Sequence, residues 1–226
     1  MWPRGGLWRD GAFLRLWSAQ TISELGDNIT QLALPLTAIL VLHSTAFEVA
    51  ALRGIAVVPF LLFSLPAGVW IDRLRRRPLM IAADIGRALA LASIPIAYWT
   101  GSTSLVHLYA VAFVVGALAV VFDVSYLSFL PALIPGARLA EGNSKLLTTQ
   151  SGAQLVGPGV GGALVGLVTA PVAIVADAAS FGLSAALIGA IRRDEGGPAP
   201  AGLGAACARS SSRASGTSRG SRSCAR

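Results

Sequence analysis

The chain has 226 residues and a formal net charge of +7, and 54% of its residues are hydrophobic while 13% are charged. This composition, with a mean hydropathy of +0.66, excludes a soluble domain with a polar surface and predicts an integral membrane protein. The arginines lie between apolar segments or in the tail, without the basic aromatic groove of a nucleic-acid-binding protein, so no nucleic-acid partner is expected.

Six apolar segments follow one another along the chain. A membrane-spanning helix needs about 20 mostly apolar residues, and the stretches of that length lie at roughly 15–41, 47–71, 78–100, 105–130, 146–168 and 171–191. The short connections predict antiparallel neighbours. We therefore expect an all-α integral membrane fold, with six transmembrane helices over residues 15–195 in contact with the lipid bilayer and an N-terminal segment of residues 1–14.

Basic residues occur in every second connection. They lie before the first segment and after the second, fourth and sixth: Arg4, Arg9, Arg15, the arginines of 73–77, Arg138, Lys145, Arg192 and Arg193. Positively charged short loops stay in the cytoplasm during insertion. The pattern predicts a multi-pass protein of the plasma membrane with both termini in the cytoplasm.

The first segment carries polar side chains at intervals of three or four residues, which place them on one stripe of a helix. These residues are Gln20, Glu24, Asp27, Asn28 and Gln31. Because hydrocarbon does not solvate a carboxylate, the stripe should face the bundle interior or a wet cavity. We expect the last four to bind substrate or protons, with Asp27 as the first candidate. The alternative is a structural hydrogen bond to a neighbouring helix.

Other charged residues fall inside the later segments. Asp84 and Arg87 are three residues apart on the third helix, a spacing that predicts a structural ion pair. Asp123 and Asp177 have no partner within one turn, so each either relays protons or ties helices together, and Asp123 is a further candidate for substrate or proton binding. Arg53 is expected to pair within its own helix or to extend outward.

The fifth segment is rich in glycine. Gly157 and Gly161 are four residues apart, Gly162 follows, and Pro158 adds a bend or weak point. Small residues at this spacing let helix backbones approach closely. The pattern predicts a helix-packing face, which either serves the bundle or joins the chain to another six-helix half.

The composition changes after the sixth segment. Residues 196–226 are mostly Gly, Ala, Pro, Ser and Arg, with no hydrophobic periodicity, so a disordered basic tail is expected. One interpretation is attraction to anionic lipid. The favoured one is translation of a shifted reading frame after about residue 197, since serine and arginine repeats are typical of GC-rich DNA read out of frame.

Nothing in the sequence favours an enzyme or a bound cofactor. Cys207 and Cys224 lie in the tail without metal-ligand spacing, so neither a metal nor a disulfide is expected. His43 and His107 lie in or beside predicted outer loops, and no catalytic serine or zinc motif occurs. We therefore expect no catalysis, no metal and no cofactor.

The loop after the second helix resembles the signature of the major facilitator superfamily, Gly-x-x-x-Asp-Arg-x-Gly-Arg-Arg. The matching residues are Gly68, Asp72, Arg73, Arg76 and Arg77, with Arg75 in place of the usual glycine. Such basic loops resemble those of the branch that includes macrolide and siderophore exporters. The sequence Gly157-Pro158-x-x-Gly161-Gly162 is similar to the antiporter motif of that superfamily, whereas its usual fourth-helix arginine motif is absent.

This resemblance covers residues 13–195 and corresponds to the first six helices of a twelve-helix transporter. It implies that substrate binds between two six-helix halves and that rocking of the halves gives alternating access. It also implies a gating role for the loop residues, in which Asp72 and the arginines latch against the other half. The expected partners are therefore a missing second half or, alternatively, a second copy of the chain.

Two functions follow from these observations. The leading hypothesis is the amino-terminal half of a proton-coupled exporter of small amphipathic molecules, in which Asp27 and Asp123 bind protons or cationic substrate. The alternative is a truncated membrane protein that does not transport, or a half that acts only when paired with another half.

Overall fold

The computed structural model describes residues 7, 10–71, 75–134 and 138–191, and within these ranges it leaves out the side chains of 64–71 and 132. The helices are α1 (Gly11–Leu42), α2 (Ala46–Ile71), α3 (Arg76–Trp99), α4 (Leu105–Leu133), α5 (Leu139–Leu167) and α6 (Ala170–Gly189). The described part of the chain contains no strand. The predicted all-α fold is therefore confirmed.

Two helices begin four or more residues earlier than the hydropathy pattern predicts, α1 because a capping residue precedes it and α5 because its first turns are polar. α1 begins at Gly11 since Asp10 caps it, its carboxylate accepting a hydrogen bond from the backbone N–H of Ala12 at 3.0 Å. α5 begins at Leu139 rather than near residue 146, and its first turns carry an ion pair between Glu141 and Lys145 at 2.7 Å. Hydropathy detects the membrane-spanning part of a helix and misses such polar extensions.

Five of the described helices are long and apolar enough to cross a membrane. They are α1, α2 over Ala46–Phe63, α3, α4 over Leu105–Pro131, and α6. α5 is not among these five, because glycines and polar residues lower its hydropathy. The chain is therefore a multi-pass membrane protein, and α5 lies outside the set of five helices with the apolar character of a membrane span.

The helices pack in an order that differs from their order in the chain. α6 lies between α1 and α3, α5 packs on the other side of α1, and α4 joins α3 to α2. Smaller contacts of α1 with α2 and α4 complete the bundle. Residues far apart in the sequence therefore meet at the centre, where α1, α3, α4 and α6 converge.

Two apolar clusters form the core, one at each end of the bundle. The first includes Phe13, Leu16, Met80, Phe129 and Ile188, and the second includes Ile29, Leu91, Ile94, Ile174 and Phe181. On α1, Glu24 and Asp27 come between residues of the two clusters, and on α3, Asp84 and Arg87 do so. A charged layer therefore divides the apolar core at mid-bundle.

Arginines hold the helix ends together at the end of the bundle where α1 begins. Arg76 donates to the carbonyl of Ser128 on α4 at 2.9 Å, and Arg77 donates to the carbonyls of Ile188, at 3.1 Å, and Gly189. Arg15 donates to the carbonyl of Ala190 at 2.7 Å. Cationic donors satisfy the free carbonyls at a helix C-terminus and favour its negative dipole end.

Candidate functional site

The polar stripe of α1 divides into a part that packs against α5 and a part that faces a cavity. In the first part, Gln20 on α1 and Gln150 on α5 each donate a hydrogen bond of 3.0 Å to Oε1 of Glu24. Asn28 is buried, and its side-chain amide donates to the backbone carbonyl of Glu24 at 2.6 Å. Glu24 therefore links the two helices through neutral amide donors.

The glycines of α5 provide the surface on which Asn28 packs. A Cβ atom added to Gly157 would overlap Cβ of Asn28 and lie 2.6 Å from its Cγ, and one added to Gly161 would lie 3.3 Å from Cα of Ile29. Gly162 is less crowded, with 3.7 Å to Cδ2 of Leu32. These glycines face α1 of the same bundle, which supports the first of the two predicted roles for this face, packing within the bundle.

The second part of the stripe faces a cavity of about 140 Å³ between the first four helices. Its polar lining includes Asp27, Gln31 and Arg53, and Arg53 crosses from α2 to donate to the backbone carbonyl of Gln31 at 2.5 Å. Most of its walls are apolar and include Leu34, Leu52, Ala56, Leu91, Val111 and Val115. Asp27 is half-buried, whereas Gln31 and Arg53 are exposed. The cavity therefore presents one acidic side chain, Asp27, and one cationic side chain, Arg53, among mostly apolar walls.

Arg53 extends toward α1 rather than pairing with an acid on its own helix. Glu48, one turn earlier, accepts hydrogen bonds from the backbone N–H and the hydroxyl of Thr45, at 2.7 and 2.9 Å. The sequence did not indicate that Arg53 and Asp27 share a cavity. The available signal was a single cationic residue in an apolar stretch. The sequence favoured a structural role for it, either pairing within its own helix or extending outward.

The ion pair predicted on α3 is confirmed. Nη2 of Arg87 lies 3.5 Å from Oδ1 of Asp84, and the hydroxyl of Ser184 on α6 donates to Oδ2 of Asp84 at 2.6 Å. All three side chains are buried. Asp84 therefore connects the cation on its own helix to a donor on α6, an interhelical link that the spacing alone did not indicate.

Asp177 is the second fully buried acid, and it lies where α6 packs against α1. Its Oδ1 accepts a hydrogen bond from Ser180 at 3.1 Å. A Cβ atom at Gly26 of α1 would overlap both Oδ1 of Asp177 and the hydroxyl of Ser180. The close approach of α6 to α1 therefore depends on glycine at position 26. Of the two roles predicted for Asp177, this position supports the one that ties helices together.

The remaining predicted site residues lie elsewhere. Asp123 is exposed on α4. Gly68 belongs to the described backbone of α2, and Pro158 lies inside α5. Asp72 and Arg73 fall outside the described residues, whereas Arg76 and Arg77 contact the ends of α4 and α6. Arg76 and Arg77 therefore hold this bundle together, whatever their part in gating.

Comparison with known proteins gives a family match over most of the chain. The sequence model described as Major Facilitator Superfamily matches residues 16–214. An uncharacterized MFS-type transporter, YfiS, from Bacillus subtilis is 26% identical over 80% of this chain and 42% of its own length. The multidrug efflux pump Tap of Mycobacterium tuberculosis is 27% identical over 84% of this chain and 46% of its own length. The chain thus spans less than half of these relatives, and no solved structure matches it.

Proposed function

This chain belongs to the Major Facilitator Superfamily, a family of membrane transporters, and from that membership we propose that it is the amino-terminal half of a proton-coupled exporter. The cargo is a small amphipathic molecule. The efflux function in the name of the Tap relative supports the direction of transport. The observation that carries the proposal is the cavity in which Asp27 stands among apolar walls.

The apolar walls of the cavity are suited to the apolar part of such a cargo, and the Asp27 carboxylate is suited to a positive charge on the cargo. Ligand sites in proteins combine mostly apolar linings with a small number of polar groups that fix orientation. Arg53 donates to the backbone carbonyl of Gln31 at the cavity wall, and Asp27 is the acid among the described lining residues, so its carboxylate is the group that attracts a cation. Glu24 and Asn28 lie on the same stripe of α1, on the side that packs against α5.

Coupling to protons follows from the cost of an unpaired carboxylate at membrane depth. Binding either a proton or a cationic group removes that cost, so a proton and the cargo compete for Asp27. Asp123, exposed on α4, is a second acid at which a proton binds. The exporter therefore exchanges a proton for each cationic cargo molecule that leaves.

A second six-helix half completes the cavity, because this chain spans less than half of its relatives. Gly68, Asp72, Arg73, Arg76 and Arg77 then gate access from the cytoplasm, where both termini lie, and the membrane is the plasma membrane. There are two alternatives to this arrangement. In one, two identical chains pair to form the transporter, and in the other, the chain is a membrane protein that does not transport.

The test measures binding of a cationic amphipathic dye, rhodamine 6G, to the full chain in lipid nanodiscs. Asp27→Asn should weaken binding about tenfold, the equivalent of about 1.4 kcal/mol, since the dye loses its counter-charge. The matched control is Glu141→Gln, the same chemical change at an ion pair outside the cavity, and it should leave binding unchanged. Equal binding by wild type and Asp27→Asn would contradict the proposal.

Transport by the chain alone separates the alternatives. Dye uptake into proteoliposomes on an imposed proton gradient would show that identical chains pair. Dye binding without uptake is the result expected of a half that needs a second half. A chain that reaches the membrane but neither binds nor moves the dye would support the non-transporting alternative.

A further inference from the structure

A proline interrupts α1 beside the cavity. Pro35 lies inside this helix and is one of the residues that line the cavity. Proline has no backbone N–H, and its ring crowds the carbonyl four residues earlier. In α1 that carbonyl belongs to Gln31, which also lines the cavity. The sequence of α1 therefore leaves one backbone acceptor without its helical donor at the cavity wall.

Arg53 of α2 supplies a donor to this same carbonyl. Its Nη2 atom donates to the backbone oxygen of Gln31 at 2.5 Å. Prolines are tolerated in membrane helices where a neighbouring helix satisfies the backbone group that they free. A charged donor also forms a stronger hydrogen bond than a neutral one. Arg53 therefore replaces the backbone hydrogen bond that Pro35 removes from α1.

Two other helical prolines lack such a donor. Pro95 lies inside α3 and Pro158 inside α5. The carbonyls four residues before them belong to Leu91 and Gln154, and neither accepts a hydrogen bond from the side chain of another described residue. A side-chain donor is therefore not a general accompaniment of proline in this bundle, and its presence at Pro35 is a specific feature of the cavity.

No acid in the described part of the chain competes with the carbonyl for Arg53. The ion pairs found there join Asp84 to Arg87 and Glu141 to Lys145, and Arg53 belongs to neither. The contact between α1 and α2 is otherwise small. The hydrogen bond from Arg53 therefore bridges two helices that touch little, at the point where one of them is weakened by a proline.

We propose that Arg53 is a positioning residue that supports α1 at Pro35 and thereby fixes the wall of the cavity. Gln31, Leu34 and Pro35 belong to that wall, and Asp27 lies one turn before Gln31. Without Arg53, the carbonyl of Gln31 turns toward water and α1 opens at the proline. The support of α1 does not depend on any cargo, whereas its consequence for binding rests on the proposed function.

A double-mutant cycle tests this role, because Pro35→Ala restores the backbone N–H that bonds to Gln31 and makes the arginine unnecessary. The full chain in lipid nanodiscs is prepared as wild type, Arg53→Gln, Pro35→Ala and the double variant. Hydrogen–deuterium exchange, read by mass spectrometry, then reports how often the backbone of residues 28–42 opens. Arg53→Lys, which keeps a cationic donor at this position, is measured beside them.

We expect Arg53→Gln to speed exchange in this segment about tenfold when Pro35 is present, since a hydrogen bond from a charged group is lost. In the Pro35→Ala background the same substitution should leave exchange unchanged, and Arg53→Lys should stay close to wild type. The matched control is Arg15→Gln, which removes an arginine–carbonyl bond at the other end of α1 and should leave residues 28–42 unchanged.

Binding of rhodamine 6G adds a measurement whose sign separates positioning from charge. Arg53 is a cation, so the loss of its charge by itself should strengthen binding of a cationic dye. If Arg53 fixes the cavity wall, Arg53→Gln should instead weaken binding about threefold when Pro35 is present. In the Pro35→Ala background only the effect of charge remains, and binding should strengthen.

Each outcome decides a separate question. Equal effects of Arg53→Gln on exchange in the two backgrounds would overturn the support of α1, and stronger dye binding in both would overturn the link to the cavity wall. If Arg53→Gln does not fold, as judged by helicity, recovery of folding in the double variant supports the inference and no recovery overturns it. A wild type that binds no dye would contradict the proposed function and leave the exchange result standing.

Discussion

Acidic side chains lie on two sides of this bundle, a closed side inside the helix packing and an open side at the cavity, and their surroundings differ. On the closed side, Asp84 and Asp177 are 0% exposed and contact Ser184 and Ser180 on α6. We define the open side by three residues that line the cavity, Asp27, Gln31 and Arg53, together with the exposed acid of α4, Asp123. There Asp27 is half-buried, and the other three are exposed. An acid with partners inside the bundle fixes helix positions, whereas an acid facing a cavity remains available to a ligand.

This difference predicts that substitutions on one side affect folding and that substitutions on the other side affect binding. Breaking a buried ion pair leaves an uncompensated charge, which is costly because the folded chain offers it no water. Removing an exposed acid has little effect on folding. Substitutions on the closed side should therefore lower the free energy of unfolding, while those on the open side should alter binding.

The largest effect is expected for Asp84→Ala. It leaves Arg87 buried without its close acid, and should lower the free energy of unfolding by about 3–5 kcal/mol. Asp123→Ala, the same substitution on the open side, should change it by less than about 0.5 kcal/mol. Both are measured from helicity during unfolding by sodium dodecyl sulfate in mixed micelles. Equal losses for the two variants would remove the distinction between the sides.

A smaller effect is expected where α6 contacts α1. Gly26→Ala places a methyl group against Asp177 and Ser180, and such overpacking should cost about 1–3 kcal/mol of unfolding free energy. Gly54→Ala on α2 is the matched control, because a Cβ atom there meets no atom within 4 Å. The same unfolding titration compares them. A Gly26→Ala variant as stable as Gly54→Ala would mean that α6 does not approach α1 as closely as described.

The smallest effect concerns one hydroxyl group. Ser184→Ala removes the donor to Oδ2 of Asp84, and should lower the free energy of unfolding by about 1–2 kcal/mol because a buried carboxylate oxygen loses its partner. Ser151 on α5 is exposed, so Ser151→Ala should leave stability unchanged. Thermal unfolding of the two variants in detergent makes the comparison, and similar melting temperatures would show that Asp84 does not need Ser184.

Much of the fold follows from local features of the sequence. The six helices are predictable because hydropathy over about 20 residues depends on neighbours in the chain. The Asp84–Arg87 pair is predictable because residues three apart meet on any helix. The family match agrees with the motifs around residues 68–77 and 157–162, which are also local patterns.

The candidate site was only partly predictable. Asp27 was recognisable as an acid in an apolar segment, but its place in a cavity with Arg53 depends on how α2 packs against α1 and α4. The crowding at Gly26 was not predictable, since nothing near it in the chain indicates that Asp177 lies against it. Contacts between residues so far apart have no local signature.

Local patterns along the chain are enough to identify a helical membrane protein of a transporter family, with acids placed inside its apolar segments. Only the packing of the helices shows which of those acids are enclosed and which face the cavity, and that Arg87 lies between Phe122 and Phe181. Helix formation and membrane insertion depend on short stretches of chain. The surroundings of a charged side chain depend instead on the helices that pack around it.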